Sequence, residues 1–211
     1  MSDAATPAPY AGDMPDRTLI LASGSPARRR LLTEAGFDPK VVVSGVPEDD
    51  LDAPTTPQLT QALAVRKASA VATTGGDAVV LGCDSMLEFD GRRFGKPVDD
   101  DEARGWLRSM RGRQGTLYTG HCVIDERSGR RAADVAGTVV RFGSPTEAEL
   151  DAYLATGEAL QVAGAFTLDG RSAPFIDGVD GDPGNVIGLS MPLFRSLLIE
   201  LGLSVTQLWA P

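Results

Sequence analysis

Residues 77–91 read DAVVLGCDSMLEFDG, and the change of character along this stretch decides the fold. Asp77–Asp84 has a continuously apolar centre, the pattern of a strand buried on both faces. Asp90-Gly91 is a pair suited to the positive φ angles of a hairpin turn. Strands buried on both faces occur among parallel neighbours, whereas a hairpin adds an antiparallel one. A mixed parallel and antiparallel α/β sheet covered by helices satisfies both demands. An acid, Asp84, closes the buried run, and ligands of open α/β sheets gather beyond the carboxyl ends of strands.

Upstream, Thr18–Ala22 (TLILA) is a short apolar run followed by Ser23-Gly24-Ser25-Pro26. Pro26 suits a first helical position and Ser25 the N-cap, so the order is strand, tight loop, helix. The helix runs to about Ala35, with Gly36 as its stop, and Lys40–Ser44 (KVVVS) reads as a second strand. After a loop rich in proline and acid, Gln58–Thr73 has helical periodicity through Leu59, Leu63, Lys67, Ala70 and Val71, which puts a lysine on the inner stripe. Downstream, the pattern predicts a helix over 100–110 and a hairpin of strands 114–125 and 131–142 across Ser128-Gly129. It then predicts a helix over 146–156, strand fragments near 162–168, 173–177 and 185–189, and a helix over 192–201. No linker divides the chain: one domain spans 17–202, between a flexible tail at 1–16 and a short C-terminal tail at 203–211.

Composition narrows the function. A chain of 211 residues is long enough to bury a self-sufficient core. With 20 basic and 29 acidic residues the net charge is −9, which opposes binding to the backbone of a long nucleic acid; a phosphate site here must be small and local. No stretch reaches membrane-spanning length and the start lacks the marks of a signal peptide, so the expected location is cytoplasmic. Cys83 and Cys122 lie in apolar runs, as buried free thiols do in a reduced compartment. One histidine, His121, with no CxxC or HxxxH spacing, leaves oxygen ligands as the donors for any metal.

Four segments carry possible chemistry. In Ser23–Arg30 (SGSPARRR), glycine lets backbone approach a ligand, the helix start offers free N–H groups, and Arg28 could clamp a phosphate; the plainer reading of this stretch alone is that Ser25 caps the helix and the arginines form a solvated face. Lys67 on an apolar stripe must be paired or must snorkel to water. Asp84 could be a turn or capping residue, but with Glu48 nearby the two could offer carboxylate oxygens to one Mg²⁺ or Mn²⁺, substrate phosphates and water completing the shell. Gly95-Lys96-Pro97 is a rigid turn that could aim Lys96 into the same cleft, or simply a surface turn.

Taken together, LASGSPARRRLLTEAGF at 21–37, SGVPE at 44–48, Lys67-Ala68, LGCDS at 81–85, Gly95-Lys96-Pro97 and VAGAF at 162–166 closely resemble the Maf family of nucleotide pyrophosphatases, over about residues 17–202. The resemblance implies a mixed-sheet fold with a deep cleft, similar to inosine triphosphate pyrophosphatases and commonly dimeric. It implies hydrolysis of a nucleoside triphosphate between its α- and β-phosphates, aided by a divalent cation. Residue by residue, Asp84 matches the catalytic acid that takes the proton of the attacking water, and Glu48 its partner at the metal. Ser23, Arg28, Lys67 and Lys96 match phosphate-contacting positions, with Ser25 in the same loop.

Two positions depart from the family's subgroups. Ala27 stands where the thymidine/uridine-directed group has arginine and the methylguanosine-directed group tryptophan, and Asp169 replaces the glutamine of AGAYGIQG-type motifs. A broad or unassigned triphosphate substrate is therefore expected. Two other readings stand beside the enzyme: a non-hydrolytic nucleotide-binding regulator of cell division, and a nucleic-acid module resting on Arg28–Arg30 and opposed by the net charge.

Overall fold

In the computed structural model, which describes residues 17–210, Val79–Phe89 forms one strand of 11 residues at the middle of a seven-stranded sheet. The tail expected over 1–16 lies outside the described residues. In chain order the elements are β1 (Leu19–Leu21), α1 (Pro26–Glu34), β2 (Lys40–Val41), α2 (Thr56–Val71), β3 (Val79–Phe89), β4 (Arg92–Phe94) and α3 (Asp100–Met110). They continue with β5 (Gln114–Asp125), β6 (Arg130–Phe142), α4 (Glu147–Leu154), β7 (Ile176–Asp180), α5 (Pro183–Ile187) and α6 (Met191–Glu200). The sheet order is β2-β1-β3-β5-β6-β7, with β4 also on β3. β1 is parallel to β2 and β3, while β4, β5, β6 and β7 join by antiparallel pairings, so the sheet is mixed, as the sequence predicts.

The main departures follow local chemistry. The buried strand does not stop at Asp84: Leu87 and Phe89 carry its inward alternation on to the turn, where Asp90 (φ 52°) and Gly91 (φ 69°) both have positive φ. Asp84 is therefore inside a strand. β2 has two residues where five were expected, because it is an edge strand and Val42 and Val43 are exposed. Residues 162–168 form no strand: Ala163–Ala165 is a 3₁₀ turn with left-handed backbone at Gly164 (φ 71°) and Ala165 (φ 63°), and the residues on either side are irregular. Residues 173–175 are a further 3₁₀ turn, and the strand follows as β7. Residues 185–189, read as a strand from Val186 and Ile187, fall mostly in α5, which starts at the cap Asp182 followed by Pro183. Residues 203–210 fold back onto the domain: Leu208 is buried, and Trp209 bridges to Phe37.

β3 connects two apolar cores. Val79, Leu81 and Cys83 pack with Leu19, Leu21, Leu32 and Phe194. Leu87 and Phe89 pack with Phe94, Leu107, Leu150 and Phe166. Between them runs a buried band of polar residues, Asp84, Thr119, His121, Thr138 and Asn185. One edge of β3 pairs with β5 from Val79 to Glu88. On the other edge, β1 ends opposite Leu81 and β4 ends opposite Leu87, so Gly82–Met86 has no strand partner there among the described residues. The gap between the cores thus opens directly onto Asp84 and Ser85.

Candidate active site

Successive residues of β3 face opposite sides of the sheet, and the two sides of the gap hold different chemistry. On the side of Asp84 lies α2. Its close approach depends on two glycines: a Cβ on Gly82 would come within 2.4 Å of the Ala64 carbonyl oxygen, and one on Gly120, opposite Asp84, within 2.2 Å of that of Thr60. With α2 seated this closely, Lys67 Nζ donates to Asp84 Oδ1 at 2.6 Å. The same ammonium lies 2.8 Å from Glu48 Oε1. Arg66, the preceding residue of α2, holds the acidic loop in place by donating to Pro47 O at 2.9 Å and pairing with Asp50. Asp84 Oδ2 accepts no hydrogen bond among the described residues and is not sealed from solvent.

On the side of Ser85 lies Arg28, buried near the start of α1. Its Nε donates to Gly188 O at 2.8 Å, one terminal nitrogen to Ser23 Oγ at 3.0 Å and the other to Ser85 Oγ at 2.9 Å. Thr119 gives its single hydroxyl proton to Asn185 O (3.0 Å), so Ser85, 2.9 Å away, donates to Thr119 and turns a lone pair to Arg28. All three of Arg28's partners are neutral oxygens, and its charge has no carboxylate counter-ion among the described residues. Ser25 caps α1 by accepting from Arg28 N, and its own N–H donates to Ser23 Oγ. The loop that presents Gly188 is fixed from behind by His121, whose Nε2 accepts from Ser190 N at 2.9 Å. Nδ1 therefore carries the proton and donates to Thr119 O. Burial, opposed by that backbone bond and assisted by Arg28, lowers the His121 pKa to about 4 and keeps the ring neutral.

The structure brings Glu48, Lys67 and Asp84 together on one side, and Ser23, Ser25 and Arg28 on the other. Lys96 stands apart: it is exposed on the turn after β4 and has no ion pair among the described residues. Sequence reasoning missed Gly188, Thr119 and Asn185, which complete the arginine's surroundings. Asp182-Pro183 was the available signal, marking a helix start and hence a turn at Gly188. It also missed the ion pair between Arg30 of α1 and Asp169, which reaches from one core's helix to the loop of the other. A hollow of about 500 Å³ beside the start of α1 is lined by Gly24, Ser25, Pro26, Arg29, Arg30, Thr33 and Val41. Cys83 and Cys122 are buried free thiols, and burial pushes the Cys83 pKa up to about 12, which removes it as a nucleophile.

The donors available to a cation are also defined. Among the described residues no group of three or more His, Cys, Asp or Glu is placed to hold a metal. Two carboxylates converge, from Glu48 and Asp84. One or two carboxylates with substrate phosphates and water is the usual protein environment of Mg²⁺, so this pair fits such an ion.

The model of the family described as Maf-like protein matches residues 18–201. A protein of Streptomyces avermitilis called nucleoside triphosphate pyrophosphatase is 59% identical over 201 residues, covering 94% of this chain and 98% of its own. One of the same name from Streptomyces coelicolor is 60% identical over 199 residues (93% and 97%), and one from Mycobacterium tuberculosis 51% over 208 (91% and 94%).

Proposed function

This chain belongs to the Maf family, and we propose that it hydrolyses a nucleoside triphosphate between the α- and β-phosphates, yielding the monophosphate and pyrophosphate. The observation that carries the reading is Lys67 held within 3 Å of two carboxylates, one residue along β3 from the anchor of a buried arginine that lacks a counter-ion.

The two sides of β3 divide the work. Arg28 and Ser23 attract a phosphate, because a buried guanidinium with only neutral partners retains its full charge and has N–H groups to spare. The positive end of the α1 dipole adds to that pull. Lys96, exposed on the turn after β4, is a further cation for the polyphosphate. Asp84 Oδ2, which accepts no hydrogen bond from the described residues, takes the proton of the attacking water as the water oxygen bonds to phosphorus and the bridging P–O bond breaks. Glu48 and Asp84 are the residues that would hold Mg²⁺ or Mn²⁺, whose bound charge neutralises the phosphates and favours ionised water.

The test is chromatographic product analysis with each common triphosphate, in Mg²⁺ or Mn²⁺, beside Asp84→Asn. Monophosphate plus pyrophosphate is expected, with turnover lower by about 100-fold or more in the variant. Release of orthophosphate and a diphosphate would refute the proposed bond, and unchanged turnover in Asp84→Asn would refute the proposed base.

A further inference from the structure

Lys67 bridges Glu48 and Asp84, the two carboxylates proposed to hold a divalent cation. We infer that Lys67 is a resident counter-ion displaced when metal and triphosphate bind together: its ammonium leaves Glu48 and Asp84 and moves to the phosphates. The inference rests on the proposed function and extends it from which residues bind to how the two ligands depend on one another.

The charges favour it. Glu48, Asp84 and Lys67 sum to −1, which neither completes a neutral ion pair nor leaves two free carboxylates. The ammonium lies 2.8 Å from Glu48 Oε1 and 2.6 Å from Asp84 Oδ1. A divalent cation that takes those oxygens faces a like charge at close range, in a place where the lysine and aspartate side chains are only 10% and 8% exposed. At such distances, poorly screened by water, repulsion of this kind is large.

The lysine can move: its four-carbon stem is flexible, and its ammonium is a compact charge with three donors and no fixed geometry. Buried, it needs another anion to move to. A polyphosphate drawn to Arg28 in the gap beside Asp84 supplies one. Glu48 is 52% exposed and can turn towards a cation once the ammonium has left.

Metal alone must therefore dislodge the lysine without offering it a partner, and nucleotide alone must draw it away from two carboxylates left unpaired. Together they exchange partners: carboxylates to metal, ammonium to phosphate. Each ligand then raises the affinity for the other by the same factor.

The test measures Mn²⁺ binding to the intact protein by electron paramagnetic resonance of the free ion, with and without a triphosphate analogue carrying a methylene bridge between the α- and β-phosphates. The variants are Lys67→Met, Lys67→Arg and Asp84→Asn. Without analogue, Lys67→Met should bind Mn²⁺ at least tenfold more tightly than wild type and Lys67→Arg should not; analogue should raise wild-type affinity far more than that of Lys67→Met. Equal or weaker Mn²⁺ binding by Lys67→Met, with binding still lost in Asp84→Asn, overturns the displacement and leaves the proposed function standing. Mn²⁺ binding indifferent to Asp84→Asn even with analogue overturns both. If Lys67→Met does not fold, the ¹⁵Nζ signal of Lys67 in the wild type decides: it should shift with Mg²⁺ plus analogue and hardly with Mg²⁺ alone, and a signal unmoved by both overturns the inference.

Discussion

Arg28 and Lys67 are both buried cations on helices packed against β3, anchored to adjacent residues, Ser85 and Asp84, yet their surroundings differ in kind. Arg28 is held by two hydroxyls and a carbonyl, Lys67 by two carboxylates. Geometry therefore leaves a local charge of +1 on one side of the strand and −1 on the other. Burial makes a cation costly, but the partner decides what the site attracts: neutral partners leave an anion site, acidic partners a cation site. A metal–triphosphate complex carries both signs and suits the pair.

The largest expected effects break one half of the comparison. Asp84→Asn keeps the shape of the acidic side but removes its charge, and turnover should fall by about 100-fold or more, read by initial rates. Gly120→Ala attacks the same side through packing: its Cβ would come within 2.2 Å of the Thr60 carbonyl oxygen, so α2 must lift away from the sheet. A loss of about 3 kcal/mol in a denaturant titration is expected, with turnover falling as Lys67 and Asp84 separate.

A third prediction sharpens the account of the arginine side. His121 is neutral in the fold with its pKa near 4, against an ordinary 6.5, whereas the unfolded chain takes up a proton at the higher value. Its contribution is therefore present above about pH 6.5 and is lost as the pH falls towards 4, on the order of 3 kcal/mol at about 1.4 kcal/mol per pKa unit. His121→Gln should flatten this part of the stability profile in urea unfolding across that range. An equal slope in the variant would show that other groups carry it.

The smallest effect concerns Arg30. Its exposed pair with Asp169 should contribute no more than about 1 kcal/mol, so Arg30→Ala should leave the melting temperature nearly unchanged. It frees Asp169, which replaces the glutamine of AGAYGIQG-type motifs, and a changed ranking in a panel of natural and modified nucleotides is the expected readout.

What could be read from the sequence depended on whether the signal was local. The mixed sheet followed from a continuous apolar run and an Asp-Gly turn, both short-range features. Lys67 stood out because a lysine on an apolar stripe needs a partner, and Glu48 and Asp84 were the acids proposed nearby. The direct bridge by Lys67 was not legible, since it depends on how closely α2 sits on Gly82 and Gly120 and hence on a packing distance. The surroundings of Arg28 were half legible: Ser23 and Ser25 are its neighbours in sequence, whereas Gly188 is 160 residues away and lies after a short helix that β-branched Val186 and Ile187 disguised as a strand. The turns at 162–168 were hidden for a similar reason, as left-handed backbone at Ala165 is not a preference of alanine.

The division between the two sides is tested most directly by separating binding from turnover. Affinity for the methylene-bridged triphosphate analogue, measured by calorimetry with no divalent cation present on folded Arg28→Met and Asp84→Asn, should fall at least tenfold in the first. In the second it should stay within a few-fold of wild type while hydrolysis of the natural triphosphate is lost. Undiminished affinity in Arg28→Met, or normal turnover in Asp84→Asn, would contradict the assignment of phosphate capture to one side of β3 and of proton transfer to the other.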